Sequence, residues 1–250
     1  MSGHSKWSTI KRKKGAEDAK RGKIFTRIAR DIAQAAREGG GDESSNPRLR
    51  IHLLKARAAN MPKDNVERAI MRGLGKLEGA DYEELSYEGI GIDGVAIVID
   101  VLTDNKNRTL QQLKNMFNKA GASLGSAGSV LWQFDRKGFI QLVGDNLDFD
   151  EVFMVAAEAG ADDVVNEDGD VIVYTPREKL SAVEEALTQA GYQVEESMLK
   201  WDAKNQTEVP VNAALQNLKL INDLEELDDV QSVSSNLLVT DDAIAAFETA

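Results

Sequence analysis

After Gly15 the apolar positions recur at helical spacing. At about 100° per residue, Ile24, Phe25, Ile28, Ile32 and Ala36 fall on one side of the turn. Lys20, Lys23, Arg27, Arg30 and the uncharged Gln34 recur at spacings of 3, 4, 3 and 4 on the other. This predicts an amphipathic helix that packs one face and shows a cationic stripe on the opposite one. GGGDESSNP then reads as a loop, and Asn46 before Pro47 is an N-cap and first-position pair for a second helix running to about 60. A third starts near Pro62, turns Val66, Ala69 and Ile70 inward, and stops at Gly73. Three short helices make a small bundle over 1–78, with GLGKLEGAD as the exit linker.

From Tyr82 the period becomes that of strands. LSYEG and VAIVIDVLT read as strands across a Gly-rich turn, followed by a helix over 108–120 and a strand over 129–135. GFIQLVG is a strand, 147–159 a helix, DVVNEDGDVIVYT a hairpin turning at Asp168-Gly169, 177–190 a helix and QVEESMLKW a strand. That last set has the order βαββαβ, the ferredoxin-like arrangement, complete between about 138 and 201. The flanking pieces, ββαβ before it and a helix (212–227) plus strand (Val230–Ser235) after it, add up to two helices on a second four-stranded sheet. The expected fold class is α+β: an N-terminal three-helix domain followed by two α/β (ferredoxin-like) domains, one inserted in the other. The expected boundaries are 1–78 for the basic helical domain, 79–136 plus 206–250 for the host, and 137–205 for the insert. A linear reading would leave each half of the host too small for its own core.

Charge changes the picture through its distribution. The net is -12, which on average argues against a phosphate-binding chain. Residues 1–80, however, hold 19 Lys/Arg and 9 Asp/Glu, a net of +10, whereas 81–250 hold 11 Lys/Arg and 33 Asp/Glu, a net of -22. At physiological salt, charges beyond roughly 8 Å are largely screened, so an acidic domain need not cancel a basic patch elsewhere. The absence of cysteine excludes disulfides, thiol catalysis and thiolate zinc sites. No apolar run approaches bilayer-spanning length and the N-terminus lacks the apolar segment of a secretory signal, so the expected location is the cytoplasm.

Several motifs invite chemistry and have plainer readings. Residues 89–94, GIGIDG, match the dinucleotide fingerprint, but a β-rich stretch follows where a helix would have to open, so they read as a strand connection. TDNKNRT (103–109) offers a polar site at a strand end or, more simply, helix capping and Asx turns. GASLGSAGS (121–129) is another small-residue loop, a turn or a place of close approach. His4 falls in the basic arm, and His52 is packed or exposed in the second helix; neither has a metal- or triad-type partner in sequence. Asp162-Asp163, Glu225-Glu226 and Asp228-Asp229 lack calcium-loop spacing and read as solvated faces. Trp132 and Trp201 fall in strand-like settings and read as core. No catalytic residue, cofactor or metal site is expected.

GHSKWSTIKRKKGAEDAKRGKIFTRI, then NPRLR, NMPKDNVERAI, YEGIGIDG, TDNKNRT and AGASLGSAGSV, closely resemble the YebC/PmpR family over residues 2 to about 135, and more weakly onward through AGADDV and YTP. The family usually has Gly-Pro-Gly after YEG, and Gly-Ile-Asp-Gly stands here. The resemblance implies three domains, no catalytic residues, and a DNA-binding transcriptional regulator, with related proteins, a mitochondrial one among them, acting as translation factors at the ribosome.

Residues and resemblance together give a nucleic-acid-binding regulator as the expected function, with DNA-binding regulation of transcription first and a ribosome- or RNA-binding translation factor as the alternative. Lys6, Lys11, Arg12, Lys13, Lys14, Lys20, Arg21, Lys23, Arg27 and Arg30 are the expected phosphate contacts, and Trp7 can stack on an exposed base. The expected partner is DNA, or ribosomal RNA within the ribosome, with no membrane and with basic protein partners open to the acidic domains. A small-molecule enzyme with its site between the α/β domains is the reading from another class.

Overall fold

The computed structural model describes residues 18–78, 82–144, 147–167 and 170–248, the backbone alone at 18–23, 167, 170 and 248. Three helices come first: α1 (Asp18–Gly39), α2 (Pro47–Ala58) and α3 (Lys63–Gly73). Ile28, Ile32 and Ala35 of α1 are buried against Leu49, Leu53 and Ala56 of α2 and Ala69 of α3, as the helical spacing requires. Asn46 does two jobs. Its Oδ1 accepts from the Leu49 amide at 3.0 Å, capping α2, while its Nδ2 donates to Ala35 O and Gly40 O, both at 2.8 Å, closing the end of α1. A Cβ at Gly73 would lie 2.2 Å from Ala33 O, so glycine sets how closely α3 approaches α1.

The first sheet has the order β3-β1-β2-β8, from β1 (Glu83–Ile90), β2 (Ala96–Thr103), β3 (Ser123–Leu124) and β8 (Val230–Ser235). Helices α4 (Lys106–Ala120), α7 (Val211–Glu225) and α8 (Asp241–Glu248) cover one face. Ile97, Ile99 and Val101 of β2 point into that core with Leu113, Phe117, Leu218 and Leu224. The alternate β2 residues Ala96 and Val98 pack with Val130 and Phe134 and with Trp201 and Ala203. Burial on both faces explains the unbroken apolar run VAIVI.

The second sheet, β5-β6-β4-β7, is built from β4 (Phe134–Val143), β5 (Asp163–Glu167), β6 (Asp170–Pro176) and β7 (Gln193–Ala203). With α5 (Phe149–Ala159) and α6 (Leu180–Gln189) it has the ferredoxin-like order, and its strands lie in sequence between β3 and β8 of the first sheet. The turn expected at Asp168-Gly169 lies outside the described residues; β5 and β6 pair antiparallel on either side of it.

One expected strand is replaced. Over 129–135 the chain forms a 3₁₀ turn, Leu131–Gln133, and β4 begins only at Phe134. The cause is Glu88, whose carboxylate accepts from the amides of Gly128 (2.6 Å), Val130 (2.7 Å) and Leu131 (2.8 Å). Donors spent on a side chain are lost to a ladder, and β3 at Ser123–Leu124 supplies the fourth strand instead.

Candidate nucleic-acid interface

The backbone of α1 carries Lys20, Arg21 and Lys23 in its first two turns. Their side chains lie outside the described residues, as do Lys6, Trp7, Lys11, Arg12, Lys13 and Lys14. Arg27 and Arg30 are described, and both turn toward the protein itself. Arg27 donates through one terminal nitrogen to Glu225 O at 2.8 Å and Leu227 O at 3.2 Å. Arg30 donates to Asp228 O at 2.9 Å and to Asp229 Oδ1 at 2.7 Å. Glu225 O ends α7, and the Leu227 and Asp228 carbonyls follow in the turn to β8, close to the negative end of the helix dipole, which favours cations.

Asp229 is the centre of this contact. Its side chain is 4% exposed, and four side chains donate to it: Arg30, Arg108 (2.9 Å to Oδ2), Thr109 (2.7 Å) and Thr103 (3.1 Å). Its backbone carbonyl accepts from Leu102 at 2.8 Å. Burial alone would raise this carboxyl; the Arg108 and Thr109 hydrogen bonds and the charges of Arg30 and Arg108 outweigh it and hold the group below its ordinary value. The TDNKNRT run therefore has two uses. Asn105 caps α4 by accepting from the Arg108 amide at 3.0 Å, and Thr103, Arg108 and Thr109 converge on Asp229. Of the acidic pair Asp228-Asp229, read from sequence as a solvated face, Asp228 is exposed, whereas Asp229 is a buried tie.

Other contacts across the same seam are also polar. Arg48 of α2 bridges Glu38 and Glu84, and Arg30 lies 5.7 Å from the centre of the Tyr82 ring. Asp31 Oδ2 is 3.8 Å from His52 Nδ1, a buried atom with no hydrogen-bond partner among the described residues. Burial pushes the Asp31 carboxyl up to about 6 against the opposing influence of Lys55, Arg27, Arg48 and Gln231 of β8. Burial, with Lys55 and Arg48 nearby, pushes His52 down to about 3. Among the described residues no apolar cluster crosses between the helical domain and the rest: one lies within residues 25–70 and the main sheet core within 85–247. The two α/β domains differ in this respect, since Val98 and Phe134 pack with Trp201, and Asp100 accepts from Trp201 Nε1 at 3.0 Å and Arg136 at 2.5 Å.

The glycine-rich loops meet at one end of the first sheet. Ile90 pairs with Ser123 and Gly89 with Leu124. GIGIDG joins β1 to β2, as a strand connection should. Asn217, fully buried in α7, accepts from Ile92 N at 2.9 Å and donates to Ile92 O at 3.0 Å, while Glu88 holds the 128–131 loop. That loop presents Trp132 at 69% exposure, which corrects the core placement expected from a strand. A strand would have turned Trp132 inward; the 3₁₀ turn that Glu88 imposes turns it out. Trp201 is partly buried against the inter-domain cluster.

A basic helical head tied through polar contacts to a pair of packed α/β domains defines the architectural class. Residues 5–76 match the family model described as the TACO1/YebC protein N-terminal domain, and residues 82–237 match that of the TACO1/YebC second and third domain. The chain belongs to the TACO1/YebC family. It is 52% identical over 248 residues to a probable transcriptional regulatory protein of Acidithiobacillus ferrooxidans, covering 99% of each chain. It is 50% identical over 242 residues to one of Thermotoga maritima, covering 96% of this chain and 95% of the other. A solved structure of a conserved hypothetical protein from Aquifex aeolicus superposes with a TM-score of 0.84 at 40% identity, covering 90% of this chain and 93% of that one.

Proposed function

We propose that this chain is a cytoplasmic, nucleic-acid-binding regulator that grips phosphate through its basic N-terminal segment, DNA in the service of transcription being the first target. The observation that carries the reading is the charge division: +10 over residues 1–80 against -22 over 81–250. Relatives at about half identity over the whole chain bear the name probable transcriptional regulatory protein, which supports it. Lys6, Lys11, Arg12, Lys13, Lys14, Lys20, Arg21 and Lys23 are the proposed phosphate contacts, and Trp7 the proposed stacking group. Such contacts position a protein and read little sequence. Asp229 lends no support to a catalytic role, because its carboxyl is held below its ordinary value with its oxygens taken by four side chains.

A second reading, RNA within the ribosome, is favoured by one observation. Trp132 stands exposed on a held loop, and unpaired RNA bases offer faces on which indoles stack. Binding of a promoter-length duplex and of a structured RNA at equal salt separates the two. Tighter duplex binding supports the DNA reading, and tighter RNA binding with co-sedimentation on ribosomes replaces it.

A further inference from the structure

By helical spacing Arg27 and Arg30 share a side of α1 with positions 20 and 23, yet their N–H groups are aimed at Glu225 O, Leu227 O, Asp228 O and Asp229. Arg30 is only 14% exposed there. A phosphate cannot reach these donors while the contact stands. Carboxylate and phosphate use the same guanidinium donors, so the corner after α7 occupies the cationic face as a nucleic-acid backbone would.

We infer that this corner is an internal competitor: Asp229 and the α7 terminus cover part of the phosphate-binding face of α1, and nucleic acid displaces them. The inference rests on the nucleic-acid reading above and adds a regulated surface to it. Three features make the exchange feasible. Among the described residues no apolar cluster crosses the seam between the helical domain and the body, and seams without one permit domain motion. Asp229 keeps Arg108, Thr103 and Thr109 when Arg30 departs, so no buried carboxylate is stranded. The Glu225, Leu227 and Asp228 carbonyls gain water in place of guanidinium. Binding then carries a conformational cost, and lowering that cost tightens it.

The test uses the full chain and two fluorescein-labelled probes, a DNA duplex and an RNA hairpin, at fixed salt. Asp229→Asn keeps size and hydroxyl contacts and weakens the hold on Arg30; it tightens binding of the preferred probe about three- to tenfold, and adding Arg27→Ser and Arg30→Ser removes the gain. In the wild type, saturating probe speeds deuterium uptake by backbone amides over 225–230. A folded Asp229→Asn protein with unchanged or weaker binding overturns the inference, as does slower or unchanged uptake. Should that variant fail to fold, the wild-type exchange measurement decides alone. A companion variant with Lys11, Arg12, Lys13 and Lys14 replaced by Ser distinguishes the two levels. Its loss of binding beside a flat Asp229→Asn result keeps the nucleic-acid reading and removes the competitor; absence of salt-dependent binding by the wild type removes both.

Discussion

Arg30 of the first helix places a guanidinium nitrogen 2.7 Å from Asp229 Oδ1, 199 residues further along the chain. One ion pair thus joins the most basic and the most acidic parts of the molecule, and Arg108 shares the same carboxylate. The two sides of the pair are unequal. Arg30→Ser leaves Asp229 with three donors and costs about 1 kcal/mol. Asp229→Ala leaves Arg30 without its carboxylate and Arg108 with Asp104 alone, and costs about 3 kcal/mol. Urea denaturation of both variants checks the order; equal losses would contradict it.

Glu88 carries a loop. Burial raises its carboxyl, and the amides of Val130, Gly128 and Leu131 with Ser129 outweigh that and hold it below its ordinary value. A depressed folded-state value means stability present above the ordinary carboxylate range and lost as pH falls through the lowered one. Glu88→Gln, which accepts fewer hydrogen bonds, costs about 2 kcal/mol at neutral pH and shrinks the acid-side loss. It also speeds deuterium uptake at Gly128, Val130 and Leu131, whose amides the side chain holds.

Gly91 and Gly89 sit where side chains do not fit. A Cβ at Gly91 would lie 2.2 Å from Asn217 Oδ1, and one at Gly89 would lie 2.3 Å from the fully buried Phe117 ring. Either Gly→Ala change overpacks a filled site and costs about 2 kcal/mol or more. Asn217→Ala by itself releases the Ile92 amide and carbonyl and costs a similar amount, read from thermal melts.

Asp31 predicts a pH effect of opposite sign to that of Glu88. Its folded-state value is raised from 3.8 to about 6, so its stabilising contribution is complete below 3.8 and lost as pH rises through about 6. Asp31→Asn, which cannot ionise, gains on the wild type over that window, reaching about 3 kcal/mol at neutral pH. His52, pushed down to about 3, is present neutral and destabilises on the acid side instead. The relevant quantity is therefore the difference between Asp31→Asn and wild type, followed by urea denaturation across pH; a flat difference would contradict the burial argument.

Much of this architecture was legible in the spacing of side chains. The helical period gave α1 to α3 nearly to their ends, Asn46-Pro47 gave the start of α2, and the order of strands gave one sheet inserted in another. Three features escaped, each for a long-range reason. The strand over 129–135 failed because Glu88, some 40 residues earlier, takes the amides a strand needs. Trp132 was misplaced by the same cause. Arg27 and Arg30 read as solvent-facing because periodicity separates polar from apolar positions without saying whether the polar face meets water or another domain. The acidic run at the end of α7 was the available hint, since a carboxylate cluster after a helix C-terminus complements a stripe of arginines.

The central claim is that the N-terminal cations hold phosphate. With about six phosphates neutralised on duplex DNA, the logarithm of the wild-type binding constant falls against that of salt concentration with a slope near -5. Replacing Lys11, Arg12, Lys13 and Lys14 by Ser in the full chain flattens that slope to roughly -2. The same slope in both proteins would contradict the account.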